Sequence, residues 1–476
     1  MDVEKTLEKI IPALESWFAQ NESRTIEASK KLWDLAEIKF KEFESCKFLS
    51  DWLEEEGFTL ERGVSDMPTA YVASFTHGEN GPVIGINSEY DALPGLGNQL
   101  VDHYAPTGGD GHGCGHNLLG AGCTAAAIAI KNALVELNIP GTIKSFGCPA
   151  EEGGSAKVFM VRDGIYNGVD AMVGWHPANA TVTSLANCLA VYSVRYLFHG
   201  KTAHAGVNPH LGRSALDAAI LMDVGVNYLR EHVPPTHRIH SVISKGGAAP
   251  NIVPEEAEIW YYLRAPSRQE VDELLERVNK IAHGMAMATE TTVDIRITSA
   301  SSNSLRNKTL LLMMRKHLLD IGPPKFSPEE HKFAKAINKE VTNARKMESM
   351  RMIYSISDEH ALDDLYEYIG EDLQEHISVP YSGDAADIGW LLPTAGINVA
   401  CQTVGSNNHS WQQVVCSGMG IGHKGMMIAS RVLARSAMNL MVDRELLAKA
   451  QEEQRARVAD YPYVSPLPPD LKPNQE

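Results

Sequence analysis

Short apolar segments alternate with longer amphipathic segments through the first part of the sequence, and this alternation limits the fold more than any other feature. Short apolar runs predict buried strands, whereas apolar residues spaced three and four apart predict helices. Strands that alternate with helices indicate an α/β layer with a mainly parallel central sheet. The predicted strands are Ala70–Phe75, Val83–Asn87, Thr142–Gly147 and Ala171–Gly174, and the predicted helices are Ile26–Ala36, Glu44–Glu56 and Leu118–Leu137.

The pattern changes at about Leu189, where the order of strand and helix signals becomes β-α-β-β-α-β. That order is typical of the ferredoxin-like α+β unit, which forms a domain of its own. The α/β pattern then resumes, with predicted helices at Lys308–Leu319 and Glu329–Met347 and a strand at Ile397–Val404. We therefore predict a discontinuous larger domain (1–188 and 301–476) with residues 189–300 inserted into it.

Length, charge and cysteine content restrict the class of protein. A chain of 476 residues is too long for one ordinary core. A formal net charge of −17 argues against sequence-independent nucleic-acid binding and disfavours an anionic membrane surface. The N-terminus interleaves charged and apolar residues, so it does not predict a secretory signal. Seven cysteines do not suggest a disulfide framework, and we expect a cytoplasmic location.

Two further segments carry expectations. The apolar segment Leu118–Leu137 contains Lys131 and Glu136, so we interpret it as a buried helix rather than a membrane span. The Pro-rich tail from Tyr461 onward is typical of an extended or disordered segment.

Residues with metal-binding side chains collect directly after the predicted strands. In open α/β sheets, ligands bind beyond the carboxyl ends of the strands, so these clusters are expected to meet at one sheet edge. One further cluster, His112–Asn117, directly precedes a helix. The clusters that follow strands are Ser88–Asp91, Pro149–Gly154, Trp175–Pro177 and Gly405–His409.

The chemistry of these side chains points to a metal site. Cys114 and His116, two residues apart in a Gly-rich turn, are ligand types for zinc and similar ions. The adjacent pair Glu151 and Glu152 would ordinarily be a solvated surface pair, but it follows a buried strand and is flanked by Pro and Gly-Gly. Adjacent side chains point in different directions, so one can bind metal while the other faces the attacking water.

Three histidines are open to more than one interpretation. His176 is either a ligand or a buried histidine bonded to backbone, and His409 is either a ligand or an ordinary loop residue. His204 lies in the inserted domain, so it reaches the main sheet edge only if the two domains close.

The motifs EYDALP, GHGCGHNLLG, PAEEGG, WHP, GKTAHAG, PHLGRSALDA and NNHSW resemble, in order and over essentially the whole chain, those of the aminoacylase/carboxypeptidase metallopeptidases. Within that family the chain is similar to the branch of amino-acid conjugate, hippurate and p-aminobenzoyl-glutamate hydrolases. The resemblance implies a catalytic domain with an inserted lid domain. The lid would form a homodimer, or pair with a homologous partner subunit.

The resemblance also implies a site for two divalent metal ions, manganese or zinc. Cys114 would bridge the ions, with Glu152 and His409 on one ion and His116 and His176 on the other. Asp91 matches a carboxylate that orients a ligand. The full set of implied ligands is Cys114, His116, Glu152, His176 and His409.

The remaining implied roles concern the reaction. Glu151 matches the general base, which would take a proton from water and pass it to the leaving amine. His204 matches a lid histidine that stabilises the oxyanion, often from the partner subunit. Asn251 and Arg264 resemble lid residues that meet the substrate carboxylate, although Arg264 could equally be a structural strand residue.

The sequence departs from the wider family at two motifs. The early histidine-x-aspartate motif is here Glu89-Tyr90-Asp91, and a glycine-serine-glutamate-aspartate stretch is replaced by Ser382–Asp387. The first departure is shared by the p-aminobenzoyl-glutamate branch.

We expect metal-dependent hydrolysis of an N-acyl or N-aroyl amino acid, such as p-aminobenzoyl-glutamate. An indole-acetyl-amino-acid hydrolase, an aminoacylase or a dipeptidase are alternatives. A non-catalytic or partner-dependent subunit is a second class, which the intact Glu151 and ligand set disfavour. A structural zinc or redox protein is a third class, and the absence of paired CxxC motifs argues against it.

Overall fold

The structure, a computed structural model, describes residues 3–375 and 377–473 and contains two large, separate sheets. One has seven strands and the other has four. The predicted fold class is confirmed: an α/β domain with a mostly parallel central sheet, and a separate α+β domain.

The helices of the described residues are α1 (Val3–Leu35), α2 (Phe43–Glu55), α3 (His116–Glu136), α4 (Glu151–Gly154), α5 (Ala156–Arg162), α6 (Ala215–Leu229), α7 (Arg268–Ala288), α8 (Lys308–Ile321), α9 (Pro328–Ile337), α10 (Asn343–Tyr354), α11 (Ile388–Leu391), α12 (Trp411–Ser417), α13 (Gly420–Val442) and α14 (Arg444–Val458). The strands are β1 (Thr59–Arg62), β2 (Tyr71–His77), β3 (Val83–Glu89), β4 (Gly141–Cys148), β5 (Ala171–Ala178), β6 (Val182–Thr183), β7 (Asn187–Cys188), β8 (Ala190–His199), β9 (Arg238–Lys245), β10 (Glu256–Ala265), β11 (Thr292–Ser301), β12 (Ser378–Val379) and β13 (Thr394–Ala400).

The seven-stranded sheet has the order β1-β2-β4-β3-β5-β13-β6. Its four central strands, β4, β3, β5 and β13, run parallel, whereas the outer strands are antiparallel. The last residue of β3, Glu89, is paired in register with the last residue of β4, Cys148. The loops that follow these two strands therefore begin at the same level of the same sheet edge.

The four-stranded sheet has the order β11-β8-β10-β9, with every neighbouring pair antiparallel. With α6 and α7 this is the ferredoxin-like arrangement that the sequence predicts. The residues of β10 alternate between buried and half-buried, because one face packs on the helices and the other does not. The predicted boundaries of the inserted segment, 189–300, stay a prediction; β8 begins at Ala190 and β11 ends at Ser301.

Helix α3 lies at the centre of the larger domain. It is long and apolar enough to cross a membrane by length and composition, but 83% of its most apolar stretch is buried inside the protein. It packs between the sheet and the helices α1 and α13, so the interpretation as a buried core helix is confirmed. Its first residue, His116, is thereby fixed at the edge where the parallel strands end.

Several predicted bounds differ from the structure. The predicted helix Glu329–Met347 is two helices, α9 and α10, because the chain turns after Asn338 and Thr342 caps a new helix with its hydroxyl. The strand predicted at Ile397–Val404 is β13, which ends earlier, at Ala400. Strand β5 continues through Ala178, so His176 lies within the strand rather than after it.

The described part of the Pro-rich tail, residues 461–473, is ordered by contacts with the rest of the protein, unlike the disordered segment that its composition suggests. Leu467 is buried, and the Tyr463 hydroxyl donates a hydrogen bond of 2.9 Å to Asp387 Oδ1. Asp387 is fully buried and also accepts bonds from the backbone and hydroxyl of Ser302, directly after β11. The tail therefore helps to hold the point where the chain returns from the smaller domain.

We predict that Tyr463→Phe lowers the free energy of unfolding by about 1–3 kcal/mol, because a buried carboxylate loses a charge-assisted hydrogen bond. The control is Tyr461→Phe, whose parent side chain is 41% exposed and for which a change within about 0.5 kcal/mol is expected. Chemical denaturation of both variants measures the difference. Equal stabilities would contradict the role of the tail.

Candidate metal centre

Five chain segments bring polar side chains to the carboxyl edge of the parallel strands. Asp91 follows β3, Cys114 lies in the turn before α3, and His176 lies near the end of β5. Glu151 and Glu152 are the first residues of the single-turn α4 after β4, and His409 lies in the loop between β13 and α12. The edge site predicted from the sequence is therefore assembled in space.

The backbone is unusual at this edge. Ala150 and His409 have φ angles of 51° and 57°, in the left-handed region that non-glycine residues rarely adopt. The strained turn at Ala150 is held by its N–H, which donates to the buried carboxylate of Glu42 at 2.8 Å. Such conformations persist where the surroundings enforce them, and the one at Ala150 sets the direction in which the chain enters the Glu151–Glu152 pair.

Asp91 connects two of the site segments. Its Oδ1 accepts a bond of 2.8 Å from Nδ1 of His116, and its Oδ2 accepts a bond of 2.8 Å from the backbone N–H of Glu152. Asp91 is buried, so these bonds are shielded from water. Because Nδ1 of His116 is occupied, Nε2 is the nitrogen that remains for a metal ion.

The predicted ligands form overlapping groups. Atoms of Cys114, His116 and His176 lie within 4.8 Å of one another, and so do atoms of Cys114, Glu152 and His409. Cys114 is common to both groups, as the family resemblance implies for a bridging residue. The structure thus brings together all five predicted ligands.

Unpaired atoms and donor chemistry test whether metal ions fit this site. Within the described part of the chain, the buried Nε2 of His116 and Oε1 of Glu152 make no hydrogen bond of good geometry. Their polar neighbours are other groups of the site, Glu89 Oε2 at 3.4 Å from the imidazole and His409 Nε2 at 3.2 Å from the carboxylate, and a cation would satisfy both atoms. His176 donates Nδ1–H to the carbonyl of Pro177 at 2.7 Å, and its Nε2 lies 3.5 Å from Sγ of Cys114. Thiolate, imidazole and carboxylate together suit zinc-like ions, so the residues fit.

The buried acidic groups of the site would be stabilised in their charged forms by bound cations. Burial and the neighbouring Glu152 raise the pKa of the Cys114 thiol, so a thiolate there needs a positive partner. Burial raises the pKa of Glu151 well above its ordinary value, and the carboxylates of Glu152 and Asp384 add to the effect. An anionic, partly dry cluster of this kind is stabilised by divalent ions.

Three charged residues at the site were not among the predicted functional residues. Glu89 Oε2 lies 3.4 Å from Nε2 of His116, and the buried Lys157 ammonium contacts both Glu89 and Asp384. Glu89 and Asp384 lie in the two motifs that depart from the wider family, which is the signal that marks them. Lys157 gave no signal, because a lysine in a helix is ordinarily a surface residue.

The predicted lid residues all lie in the smaller domain. His204 is exposed and lies beside Asn251, whose carbonyl accepts the N–H of Ala205 at 3.0 Å. Arg264 is half-buried on the face of β10 away from the helices, and it donates to the Ser382 hydroxyl at 2.9 Å. His204 is in neither of the ligand groups.

Comparison with known proteins places the chain in a family. Residues 189–287 match the model of a peptidase dimerisation domain of the M20 family. The chain is 38% identical over an alignment of 482 residues to one of the subunits of the p-aminobenzoyl-glutamate hydrolase of Escherichia coli (strain K12), covering 98% of this chain and 99% of that protein. The chain belongs to the M20 peptidase family. It is therefore a metal-dependent hydrolase.

Other similarities to the M20 family are weaker or concern the fold alone. The Xaa-Arg dipeptidase of Mus musculus is 33% identical over 293 residues, which cover 59% of this chain and 64% of that protein. A crystal structure of a dinuclear metal-binding peptidase of the M20 family from Bacillus subtilis has a TM-score of 0.57 and 18% identity, and covers 89% of this chain and 99% of its own. The second similarity supports the two-domain fold.

We predict that Asp91→Ala weakens metal binding by about 10–100-fold, because both His116 and the Glu152 turn lose the bond that orients them. Calorimetric titration of the metal-stripped protein with Zn²⁺ measures the change. Asp102→Ala serves as the control, since Asp102 is half-exposed in the loop between β3 and α3 and pairs with His103 rather than with a predicted ligand. An unchanged affinity in Asp91→Ala would show that the carboxylate does not organise the site.

Proposed function

We propose that this hydrolase cleaves the amide bond of an N-acyl or N-aroyl amino acid, with p-aminobenzoyl-glutamate as the first candidate substrate. The observation that carries the proposal is the pair of ligand groups joined at Cys114, with the Glu151 carboxylate beside them. The full-length similarity to one chain of a p-aminobenzoyl-glutamate hydrolase supports the choice of substrate.

Two divalent ions, manganese or zinc, would be held at these groups. We propose Cys114 as the bridging ligand, with Glu152 and His409 at one ion and His116 and His176 at the other. The ions would supply Lewis-acid polarisation of the amide carbonyl and would lower the pKa of water. Asp91 would keep His116 in the tautomer that presents Nε2 to the ion.

Glu151 is the proposed general base. It neighbours Glu152, and its carboxylate belongs to the same compact group as His116 and Glu152. It would take a proton from the attacking water and pass it to the leaving amine as the carbon–nitrogen bond breaks. Because Glu151 is half-buried, its carboxylate can meet both the attacking water and the leaving amine.

We predict that Glu151→Gln retains both metal ions and loses nearly all hydrolysis, because glutamine has the shape of glutamate but cannot take the proton. Metal content by mass spectrometry and turnover of a cleaved substrate measure the two effects. Unchanged turnover would eliminate Glu151 as the base, and loss of metal would instead make it a ligand.

His204 is the proposed donor to the oxyanion. Its Nδ1 accepts the backbone N–H groups of Gly206 and Val207, each at 3.1 Å, so the proton of the neutral ring is on Nε2. The exposed Nε2–H can therefore donate to a developing negative charge. Because His204 lies outside the ligand groups of its own chain, we propose that it acts in the site of a partner subunit.

The lid domain offers a surface for that partner. Strand β9 is the outer strand of its sheet, and its exposed residues include the large apolar side chains of Val242 and Ile243. Helix α6 also exposes Ile220, Val224 and Tyr228. Unpaired edge strands beside apolar helices are surfaces that a second chain covers. We propose a homodimer through the lid; a homologous subunit is the alternative partner.

We predict that mixing two inactive variants, Glu151→Gln and His204→Ala, restores hydrolysis. In a mixed dimer one site combines the intact Glu151 of one chain with the intact His204 of the other. Random exchange of subunits should then recover about a quarter of the parent activity. Each variant alone is the control, and both should keep their metal. Recovery of no activity after confirmed subunit exchange would contradict action across the dimer.

Asn251 and Arg264 are the proposed contacts of the substrate carboxylate. Only one N–H group of Arg264 donates to Ser382, so the other side of the guanidinium can form a paired hydrogen bond with a carboxylate.

A cytoplasmic location is proposed as well, since all seven cysteines are buried and none is in a disulfide. Fractionation of cells would test that location.

The decisive test is a panel of acyl-amino acids offered to the purified, Mn²⁺- or Zn²⁺-loaded protein. The proposal expects p-aminobenzoyl-glutamate or a related aroyl-amino acid to be cleaved. Cleavage of dipeptides or indole-acetyl conjugates alone would support the alternatives within the family. Activity that appears only after addition of a homologous subunit would show a partner-dependent enzyme, and activity under no condition would contradict the proposal.

A further inference from the structure

Lys157 is a cation buried within the catalytic domain. It lies in α5, directly after the Glu151–Gly154 turn, and its side chain is fully shielded from solvent. Its ammonium lies 2.9 Å from Glu89 Oε1 and 2.5 Å from Asp384 Oδ1, and its backbone N–H donates to Asp384 Oδ2 at 3.0 Å. A buried ammonium is tolerated only when it is paired, and here two carboxylates pair with it.

The Glu89 side of this network reaches the proposed metal ligands. While Oε1 of Glu89 contacts Lys157, Oε2 lies 3.4 Å from Nε2 of His116, the nitrogen without a hydrogen-bond partner. Lys157 therefore fixes which way the Glu89 carboxylate points. A carboxylate held at that position adds negative charge where an ion bound to His116 would lie.

The Asp384 side reaches the proposed base. Asp384 belongs to the segment Ser382–Asp384, whose middle residue, Gly383, is so near Glu151 that an added Cβ would lie 3.4 Å from Oε1. Ser382 accepts the bond from Arg264 of the lid domain. The segment therefore lies between the lid domain and the proposed base. Two hydrogen bonds from Lys157 to Asp384 attach it to α5.

We propose that Lys157 is a positioning residue of the hydrolytic site: one ammonium holds Glu89 toward His116 and holds the Ser382–Asp384 segment against Glu151. The inference rests on the proposed function, because it assigns Lys157 to the same site. The proposal also links two motifs that are far apart in sequence, at Glu89 and at Asp384, because both carboxylates bind the same cation.

The test compares Lys157→Met with Arg435→Met. Arg435 is the matched control, since it is a cation of 9% exposure on α13, paired with Glu15 at 2.7 Å and remote from the site. Lys157→Met leaves two buried carboxylates without their shared ammonium, whereas Arg435→Met leaves Glu15 paired with Arg431 alone. Both variants should lose stability, and Lys157→Met should lose more. Three quantities are measured for each: the chemical denaturation midpoint, Zn²⁺ affinity by calorimetry, and kcat and KM at saturating metal.

We expect Lys157→Met to bind Zn²⁺ about 10–100-fold more weakly and to lose at least about tenfold in kcat, with KM changed less than about twofold. Arg435→Met should keep the parent Zn²⁺ affinity, kcat and KM. Normal metal affinity and kcat in Lys157→Met would overturn the inference and leave Lys157 as a buried structural cation.

Two further variants keep the test decisive if Lys157→Met does not fold. Each leaves Lys157 one carboxylate partner. Glu89→Gln should mainly weaken Zn²⁺ binding, whereas Asp384→Asn should mainly lower kcat. Identical effects of the two, or none, would contradict the division of roles. Calorimetry on the parent protein comes first. If the parent binds no Zn²⁺, the proposed function is contradicted, independently of the role of Lys157.

Discussion

The carboxylate of Asp91 is the contact on which the site depends. One of its oxygens fixes the imidazole of His116 at the start of α3, and the other fixes the backbone of Glu152 after β4. These two segments are separated in sequence by α3 and β4, so no single helix or strand joins them. A buried side chain with two strong acceptors can hold both. The parallel sheet provides the common edge, and Asp91 sets the spacing across it.

The smaller domain is tied to this edge by a few polar contacts. Arg264 of β10 bonds to Ser382, and Asp387 binds Ser302 where the chain leaves β11. Both contacts end in the same segment, Ser382–Asp387, which also contacts Lys157 through Asp384. A change in the orientation of the smaller domain would therefore shift this segment, which lies beside Glu151.

Much of this architecture follows from the sequence. The strands that carry the site were predicted because buried parallel strands are short, apolar and bounded by loops. A metal site at this edge was predicted because Cys114, His116 and the Glu151–Glu152 pair lie beside the ends of such strands. The full ligand set, with His176 and His409, was predicted only from the resemblance to the family. The ferredoxin-like order was predicted from strand and helix signals alone, and its strand arrangement agrees.

The features that the sequence did not predict depend on tertiary contacts. Lys157 has the local sequence of an ordinary helix residue, and only the approach of Glu89 and Asp384 from distant segments makes it a buried cation. The tail is Pro-rich and would be extended in isolation, yet Leu467 is buried against the rest of the protein. The break between α9 and α10 depends on a cap at Thr342 that competes with a continuous helical pattern.

The central claim is that Cys114 joins two metal ions within one hydrolytic site. The most direct measurement is anomalous diffraction from crystals of the zinc-loaded protein, collected on both sides of the zinc absorption edge. The account predicts two peaks on either side of Sγ of Cys114, one beside His116 and His176 and the other beside Glu152 and His409. A single peak, or peaks that lie away from Cys114, would contradict it.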